Sequence, residues 1–286
     1  MLMRRISNSF AMAGASWRVL QSDKELLAIP IMSFVCTLAV ALLSGGAVYF
    51  SLDRVVAADG TTSLGATPLT WVVGVVAYLL ITFVVTFFAA ALVAGARERL
   101  TGGQPTLGSA FSAASRRLPE IFMWSLLIGT VGLVLSAIEN RGGVIVRLIS
   151  RAIGMTWRIV TWLAVPVIVA EGTGPITSLK RSAGLFRQTW GENLVGQIGF
   201  GLIGLLAMVP GLIIAGLLMV HLPAAGIVVG VLWVAAVSVI ISTMSGIFRT
   251  VLYQFASGGT LPPEFDQTDL SSAFRTRRAG LNRASA

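Results

Sequence analysis

Three arginines near the middle of the chain have the residue type and spacing that most suggest a ligand site. Arg147, Arg151 and Arg158 are separated by four and seven residues, so a helix would place all three on one face. An arginine within a bilayer is costly unless it reaches the headgroups or finds a partner, so this set is a candidate contact for a lipid headgroup or another anion. The alternative, which we favour, is an outer interfacial helix over residues 144–154, with Arg158 extending to the outer phosphates.

Residue types that carry catalysis are otherwise scarce. The apolar runs have no Asp or Glu in their interiors, and the chain has one histidine, His221, and one cysteine, Cys36. Intramembrane proteolysis would need a serine with a histidine, paired aspartates or a zinc motif, and ion-coupled carriers commonly use buried carboxylates. We therefore predict a protein with no enzymatic activity, no cofactor and no metal site.

The composition of the chain suits lipid better than water. Of its 286 residues 55% are hydrophobic and 12% are charged, about half the charged share of a soluble domain. The apolar residues occur in runs of roughly 20 or more, the length that crosses a hydrocarbon core of about 30 Å. The predicted fold is all-α, a polytopic transmembrane helix bundle of about six spans.

The predicted spans follow the long apolar runs of the sequence. They cover residues 26–50, 69–94, 121–138, about 152–170, 194–220 and 226 to about 248. Together they form a single integral membrane domain, residues 1–256. A polar tail follows at residues 257–286, and its composition predicts disorder.

Basic residues alternate between the two predicted sides of the membrane. Of the 21 Lys and Arg residues, 16 precede the first span, lie in the loops after spans two and four, or follow span six, where Arg249 counts as the first basic residue of the tail. The positive-inside rule then places both termini in the cytoplasm and the protein in the cell (inner or plasma) membrane. Orientation explains the net charge of +9, so we predict no nucleic-acid partner.

A short amphipathic segment precedes each odd-numbered span. In all three segments the apolar residues are spaced by three and four, which predicts a helix with one apolar face. These residues are Ile6, Phe10, Ala13, Trp17 and Leu20, then Leu107, Phe111, Ala114 and Leu118, then Ile176, Leu179, Ala183, Phe186 and Trp190. We predict three cytoplasmic interfacial helices in a threefold pseudo-repeat with units at about residues 4–94, 105–170 and 175–256.

The amphipathic helices have two possible environments. They could lie in the inner headgroup layer, with aromatic rings in the apolar layer and basic residues against anionic lipids, the predicted partners of this protein. The predicted interfacial anchors are Trp17, Arg18, Arg116, Arg117, Lys180, Arg181, Phe186, Arg187 and Trp190. Alternatively, the helices pack on the cytoplasmic ends of the bundle, and the two interpretations carry equal weight.

Three stretches of the chain carry a family resemblance: SWRVLQSDKELLAIP, TFFAAALVAGARERLTGGQPTLGSAFSAASRRLPEIFMWSLL and TWLAVPVIVAEGTGPITSLKRSAGLFRQTWGEN. They resemble an uncharacterised family of prokaryotic six-span integral membrane proteins, which implies the architecture and no assigned activity. A weaker resemblance is to the membrane domain fused to some glycerophosphodiester phosphodiesterases. The chain has no catalytic domain of that kind, so that activity is not carried over.

Two functions remain open from the sequence. The leading hypothesis is a non-enzymatic inner-membrane protein that organises or senses the bilayer or binds a partner, because the amphipathic units are prominent and catalytic residues are scarce. The alternative is a transporter or flippase-like pathway for a lipid or anionic solute through Arg158, which the span prolines Pro30, Pro166 and Pro210 would favour.

The predicted orientation can be tested with reporter fusions. A fusion after Gly103 should report the cytoplasmic side and a fusion after Ser63 the opposite side, because the first loop is poor in basic residues and the second is rich in them. Alkaline phosphatase and green fluorescent protein serve as the paired reporters. The reverse pattern would show that the orientation is inverted.

Overall fold

The computed structural model describes residues 25–56, 62–141, 143–188 and 190–258. The first predicted interfacial helix, with Trp17 and Arg18, lies outside the described residues, as does the tail from residue 259 onwards. The elements in chain order are α1 (Glu25–Phe50), β1 (Asp53–Val56), β2 (Thr62–Gly65), α2 (Pro68–Leu100), α3 (Leu107–Ser115), α4 (Leu118–Arg141), α5 (Val144–Thr161), α6 (Ala164–Glu171), α7 (Pro175–Gln188), α8 (Trp190–His221) and α9 (Pro223–Ala256).

Six segments of the described chain are long and apolar enough to cross a membrane, which confirms the predicted helical membrane fold. Two helices run well past their predicted ends, by six and eight residues. α2 continues past Ala94 to Leu100, and α9 continues past Phe248 to Ala256. Arg, Glu and Leu are good helix formers, so the charged residues after an apolar run extend the helix. A charge marks the end of the apolar surface and not the end of the helix.

The fourth span consists of two helices instead of one. α5 and α6 are separated by a turn at Trp162 and Leu163. Pro166 accounts for this break, because proline has no N–H to offer the carbonyl of Trp162 four residues earlier and its ring crowds that carbonyl.

A serine from the next helix satisfies the backbone groups at this break. The Ser182 hydroxyl of α7 donates to the carbonyl of Val160, and its oxygen accepts from the N–H of Leu163 at 3.2 Å. Ser182 is itself fully buried. Leu163 is fully buried too, so such a break persists only where the protein supplies these partners.

A short hairpin and a cap join α1 to α2. β1 and β2 pair in antiparallel fashion, with Asp53 opposite Gly65. Thr67 and Thr70 form a capping box at the start of α2, and both hydroxyls donate to the carbonyl of Ser51, at 3.2 and 2.6 Å. The last turn of α1 is thus tied to the first turn of α2.

The buried core lies at one end of the bundle. This end, which we call the basic end, combines the starts of α1 and α4, the ends of α2 and α9, and the short helices α3, α6 and α7. Leu26, Trp124, Leu163, Ile247 and Leu252 are almost completely buried there. Towards the other end, large apolar side chains of α1, α5, α8 and α9 are exposed, as expected where lipid is the solvent.

Acidic side chains hold α3 in place at the basic end. Glu25 of α1 accepts a hydrogen bond from the N–H of Leu107 at 3.2 Å, and Glu98 of α2 accepts one from the hydroxyl of Ser109 at 2.6 Å. Thr106 and Ser109 also form a capping box. Two carboxylates near the positive end of a helix dipole stabilise this arrangement.

Helices lie at both described positions of the predicted interfacial segments, as α3 and α7. Parts of their apolar faces pack on the bundle: Ala110 and Ala114 of α3 and Leu185 of α7 are buried. Ile176 of α7 is exposed. Packing on the bundle therefore accounts for a large part of these faces, whereas the threefold repeat stays a prediction.

α8 and α9 form a tight antiparallel pair. Gly226 and Gly230 of α9 face Ala215 of α8, and a side chain at Gly226 would overlap the backbone of α8. This GxxxG step thus seats two helices of the same chain against each other. Among the described residues, α8 packs chiefly on α9.

An indole ring sits at the proline of α8. Pro210 removes the backbone donor for the carbonyl of Leu206, next to that of Ala207. The Nε1 of Trp233 donates to the carbonyl of Ala207 at 2.9 Å, and the ring lies where a side chain on Gly211 would be. The bulky ring needs a glycine opposite it.

Gly211→Ala should lower the stability of the protein by about 1–3 kcal/mol, because the added methyl group overlaps the Trp233 indole. Gly216→Ala is the matched control in the same helix, since open space surrounds that position and alanine favours a helix. Thermal unfolding in mild detergent measures both. Equal melting temperatures for the two variants would contradict the packing of Trp233 on Gly211.

Candidate functional site

The three arginines singled out by their spacing lie on α5. Arg147, Arg151 and Arg158 are all exposed. Arg151 forms an ion pair with Glu139 of α4 at 2.8 Å, and both side chains retain solvent-accessible surface. This pair contributes little energy when it is exposed. The structure thus places the cluster on the outside of the bundle.

Several of the predicted interfacial anchors are exposed at the basic end. Arg116, Lys180 and Arg187 lie on its surface. Phe186 is 4% exposed, so its ring packs within the protein and not in lipid. Trp190 begins α8, and its side chain is outside the described part of the structure.

Two further basic anchors make specific contacts near the end of α6. Gly172 follows α6 with φ +64°, and the Arg117 guanidinium occupies the space that a side chain there would need. Arg181 of α7 forms an ion pair with Glu171 at 3.2 Å. Glu171 also accepts a hydrogen bond from the hydroxyl of Tyr253 at 3.0 Å. These contacts join α6 and α7 to the end of α9.

A large cavity lies between the spans, away from the α5 arginines. It has a volume of about 880 Å³, and α1, α2, α6, α8 and α9 contribute its walls. Phe34, Val85 and Leu205 line it and are each about half exposed or more, so the cavity opens at the side of the bundle, where a membrane would lie. We call it the lateral groove. Its volume is within the usual range of ligand pockets, about 300–1,000 Å³.

One face of α9 carries most of the polar side chains of the groove. Ser238, Ser242, Ser245 and Arg249 all line it. Their spacings of four, three and four residues place them in a single row along the helix. Over eleven residues this polar row extends about 16 Å.

Two buried polar atoms of the groove have no hydrogen-bond partner. Among the described side chains, three buried nitrogen or oxygen atoms lack a partner: Thr37 Oγ1, Glu120 Oε2 and Arg249 Nε. Thr37 and Arg249 both line the lateral groove. Buried polar groups are nearly always satisfied in folded proteins, so two orphans in one cavity mark it as the candidate ligand site.

The cationic group of Arg249 rests on an aromatic ring. Its Cζ is 5.1 Å from the centroid of the Trp162 ring, which packs in turn against Phe248. A cation–π contact contributes about 0.5–2 kcal/mol of stabilisation. Arg249 as a whole is partly buried, and its Nε, which is fully covered, gains no hydrogen bond from the Trp162 ring.

The length of α9 gives the depth at which Arg249 would lie in a membrane. α9 has 34 residues, so it is about 51 Å long, and centred on a core of about 30 Å it would extend about 10 Å beyond the core at each end. Arg249 is seven residues before the end of α9, or about 10 Å. A guanidinium at this level would lie at the boundary between acyl chains and headgroups.

The sequence prediction assigned Arg249 to the tail, and this is wrong. The prediction ended the span at Phe248 because a charged residue follows it, whereas α9 continues to Ala256. The spacing of Ser238, Ser242, Ser245 and Arg249 was the available signal, since it matches one helical face. Arg158, which the sequence suggested as a candidate ligand contact, is not among the described residues that line the lateral groove.

Among the residues that the structure describes, no group of three or more His, Cys, Asp or Glu side chains is placed to hold a metal ion. Cys36 is exposed on α1, and His221 ends α8. The lateral groove is thus the candidate ligand site among the described residues.

Comparison with known proteins gives one family match. The model of a family described as "Family of unknown function (DUF6159)" matches residues 69–262. This agrees with the resemblance to an uncharacterised membrane family. No curated protein matches the chain, so the weaker likeness to the membrane domain of glycerophosphodiester phosphodiesterases has no support.

Ser182→Ala should destabilise the protein by about 1–2 kcal/mol, because the carbonyl of Val160 and the N–H of Leu163 then lose their partner beside Trp162. Thr177→Ala is the control, since Thr177 is exposed on the same helix. Thermal unfolding in detergent compares the two variants. A Ser182→Ala protein as stable as Thr177→Ala would mean that the break does not depend on the serine.

Proposed function

The chain belongs to DUF6159, a family of unknown function, and we propose that it is a non-enzymatic multi-pass membrane protein that holds a membrane lipid in its lateral groove. In this role it would organise the bilayer or sense its composition. The single observation that supports this proposal is a cavity of about 880 Å³ that opens at the apolar side of the bundle and contains the orphan groups of Thr37 and Arg249.

The chemistry of the groove favours a lipid over a water-soluble ligand. Most of its wall consists of apolar side chains from four of the long helices and α6, with a few hydroxyls and one guanidinium. Ligand pockets of this kind derive their affinity from apolar contact and their specificity from a few polar groups. A lipid already dissolved in the bilayer reaches a lateral opening without crossing water.

The absence of an enzymatic role is part of the same proposal. The groove contains no described His, Cys, Asp or Glu side chain, so a nucleophile with a neighbouring base is not available among the described walls. Serine hydroxyls alone are weak nucleophiles. Binding is the chemistry that these residues support.

We further propose that the basic end faces the cytoplasm and that the protein resides in the cell (inner or plasma) membrane. Arg116, Lys180 and Arg187 are exposed at this end and would contact anionic lipids of the inner leaflet. Arg249 and the polar row of α9 would then belong to the inner half of the membrane.

Permeation of a lipid or an anion is the second candidate function. The polar row of α9 favours it, because a row of hydroxyls can accompany a headgroup into the membrane. The row ends at Ser238, however, and the preceding turns of α9, from Pro223 to Val237, carry only one polar side-chain group, the Trp233 N–H, which is bonded to Ala207. A polar row that covers only one half of the membrane favours binding over passage.

Ser242→Phe should remove a lipid that co-purifies with the wild-type protein, because the ring fills the lateral groove. Ala236→Phe is the matched control: Ala236 is exposed on the same helix and is not among the described residues lining the groove. Native mass spectrometry after purification in mild detergent counts the lipids that each protein retains. We expect wild type and Ala236→Phe to retain a lipid that Ser242→Phe has lost.

Two outcomes would overturn the proposal. One is a wild-type protein that retains no lipid under conditions in which it stays folded. The other is equal lipid retention by Ser242→Phe and Ala236→Phe. Fast, specific movement of a lipid or solute across vesicles that contain the protein would support permeation instead.

A further inference from the structure

We infer that the ligand of the lateral groove is an anionic lipid of the leaflet at the basic end, with its acidic group paired to Arg249. The inference rests on the proposed function and adds the chemical class of the ligand. It follows from the charge of the groove, the depth of Arg249 and the length of the polar row.

The groove carries a positive charge that the described protein does not neutralise. Arg249 is the one charged side chain among the described groove residues, and no carboxylate stands beside it there. The Nε of Arg249 is buried without a hydrogen-bond partner, and the Trp162 ring covers one face of its guanidinium. An aromatic face leaves the N–H donors in the plane of the guanidinium free for an acceptor. An anion in that plane would supply the counter-charge.

The depth of Arg249 favours an amphiphilic molecule as the ligand. The guanidinium is about 10 Å from the end of α9, at the boundary of the hydrocarbon core, so an acid bound to it lies at headgroup level. The groove continues from there along the polar row for about 16 Å, close to half of a core of about 30 Å. This length matches the acyl region of a single leaflet.

The hydroxyl groups lie where the linkage between headgroup and chains would be. Ser245 is one turn deeper than Arg249, and Ser242 follows. Thr37 on α1 lines the opposite wall and has an orphan oxygen. Ester carbonyls or glycerol hydroxyls of a lipid are suitable partners for these groups. A free fatty acid would use the guanidinium alone.

The shared recognition chemistry is an acidic group on an acyl chain. Guanidinium binds phosphate and carboxylate in the same bidentate manner, so the headgroup can be a phosphodiester or a carboxylate. The apolar part of the groove distinguishes a lipid from free phosphate, which has no chain to occupy it.

The test is a competition measured by native mass spectrometry on the full-length protein in mild detergent. The probes are phosphatidylglycerol and phosphatidylcholine with identical acyl chains, offered in equal amounts. Oleic acid replaces the phosphate by a carboxylate, and inorganic phosphate removes the chain. The variants are Arg249→Gln and, as the matched control, Arg158→Gln, since Arg158 is an exposed span arginine outside the described groove lining.

We expect wild type and Arg158→Gln to prefer phosphatidylglycerol over phosphatidylcholine by about tenfold or more, a difference of about 1.4 kcal/mol or more. Arg249→Gln should bind both lipids equally. Oleic acid should compete with phosphatidylglycerol, and inorganic phosphate should not.

Three results would overturn the inference. If wild type shows no preference between the two lipids but retains lipid in the groove, the ligand class is wrong while the proposed function stands. If Arg249→Gln keeps the preference, the charge is recognised elsewhere, for example by the exposed basic residues. If inorganic phosphate competes as well as the lipid, the site binds a free anion.

A fold defect in Arg249→Gln would not end the test. Ser242→Phe keeps Arg249 and fills the groove, so it should lose the groove-bound lipid and with it the preference for phosphatidylglycerol, whereas Ala236→Phe should keep the wild-type preference. Retention of the preference by Ser242→Phe would place anionic-lipid binding outside the groove and overturn the inference.

Discussion

A backbone group buried in a protein needs a hydrogen-bond partner, so the protein itself must satisfy every buried interruption of a helix. Pro166 interrupts the fourth span, and the hydroxyl of Ser182 takes over both a carbonyl and an N–H at the break. The turn so stabilised carries Trp162, whose ring supports Arg249. The lateral groove thus depends on a proline in one span, a serine in a short helix and an arginine in another span.

The distribution of packing explains where a ligand site can form. At the basic end, α3, α6 and α7 fill the space between the long helices, and the core is buried there. Further along the spans no short helix is inserted, and the large side chains face outwards. Lipid solvates apolar side chains as well as a protein core does, so there is no hydrophobic gain in closing this region. The groove lies between the buried core at the basic end and the part of the spans whose large side chains face outwards.

The six spans could be predicted because their signal is local: a run of about 20 apolar residues suffices to cross the bilayer. The break in the fourth span could not be predicted. Pro166 alone does not tell whether a membrane helix bends or stops, and the outcome depends on Ser182, sixteen residues later. Arg249 was misplaced for a related reason. It was assigned to the tail because the charge was taken to mark the end of the helix. Its contacts with Trp162 and the groove involve residues far away in sequence. Arg158 carries the same charge, and nothing in its spacing indicates that it faces outwards.

The position of α8 at the periphery has a mechanical consequence. Among the described residues α8 packs chiefly on α9, and it forms one wall of the groove without a core behind it. In a membrane the lateral pressure of the surrounding acyl chains would act directly on this wall, opposed by its contacts with α9 at Gly211 and Gly226. The width of the groove would then follow the angle between these two helices.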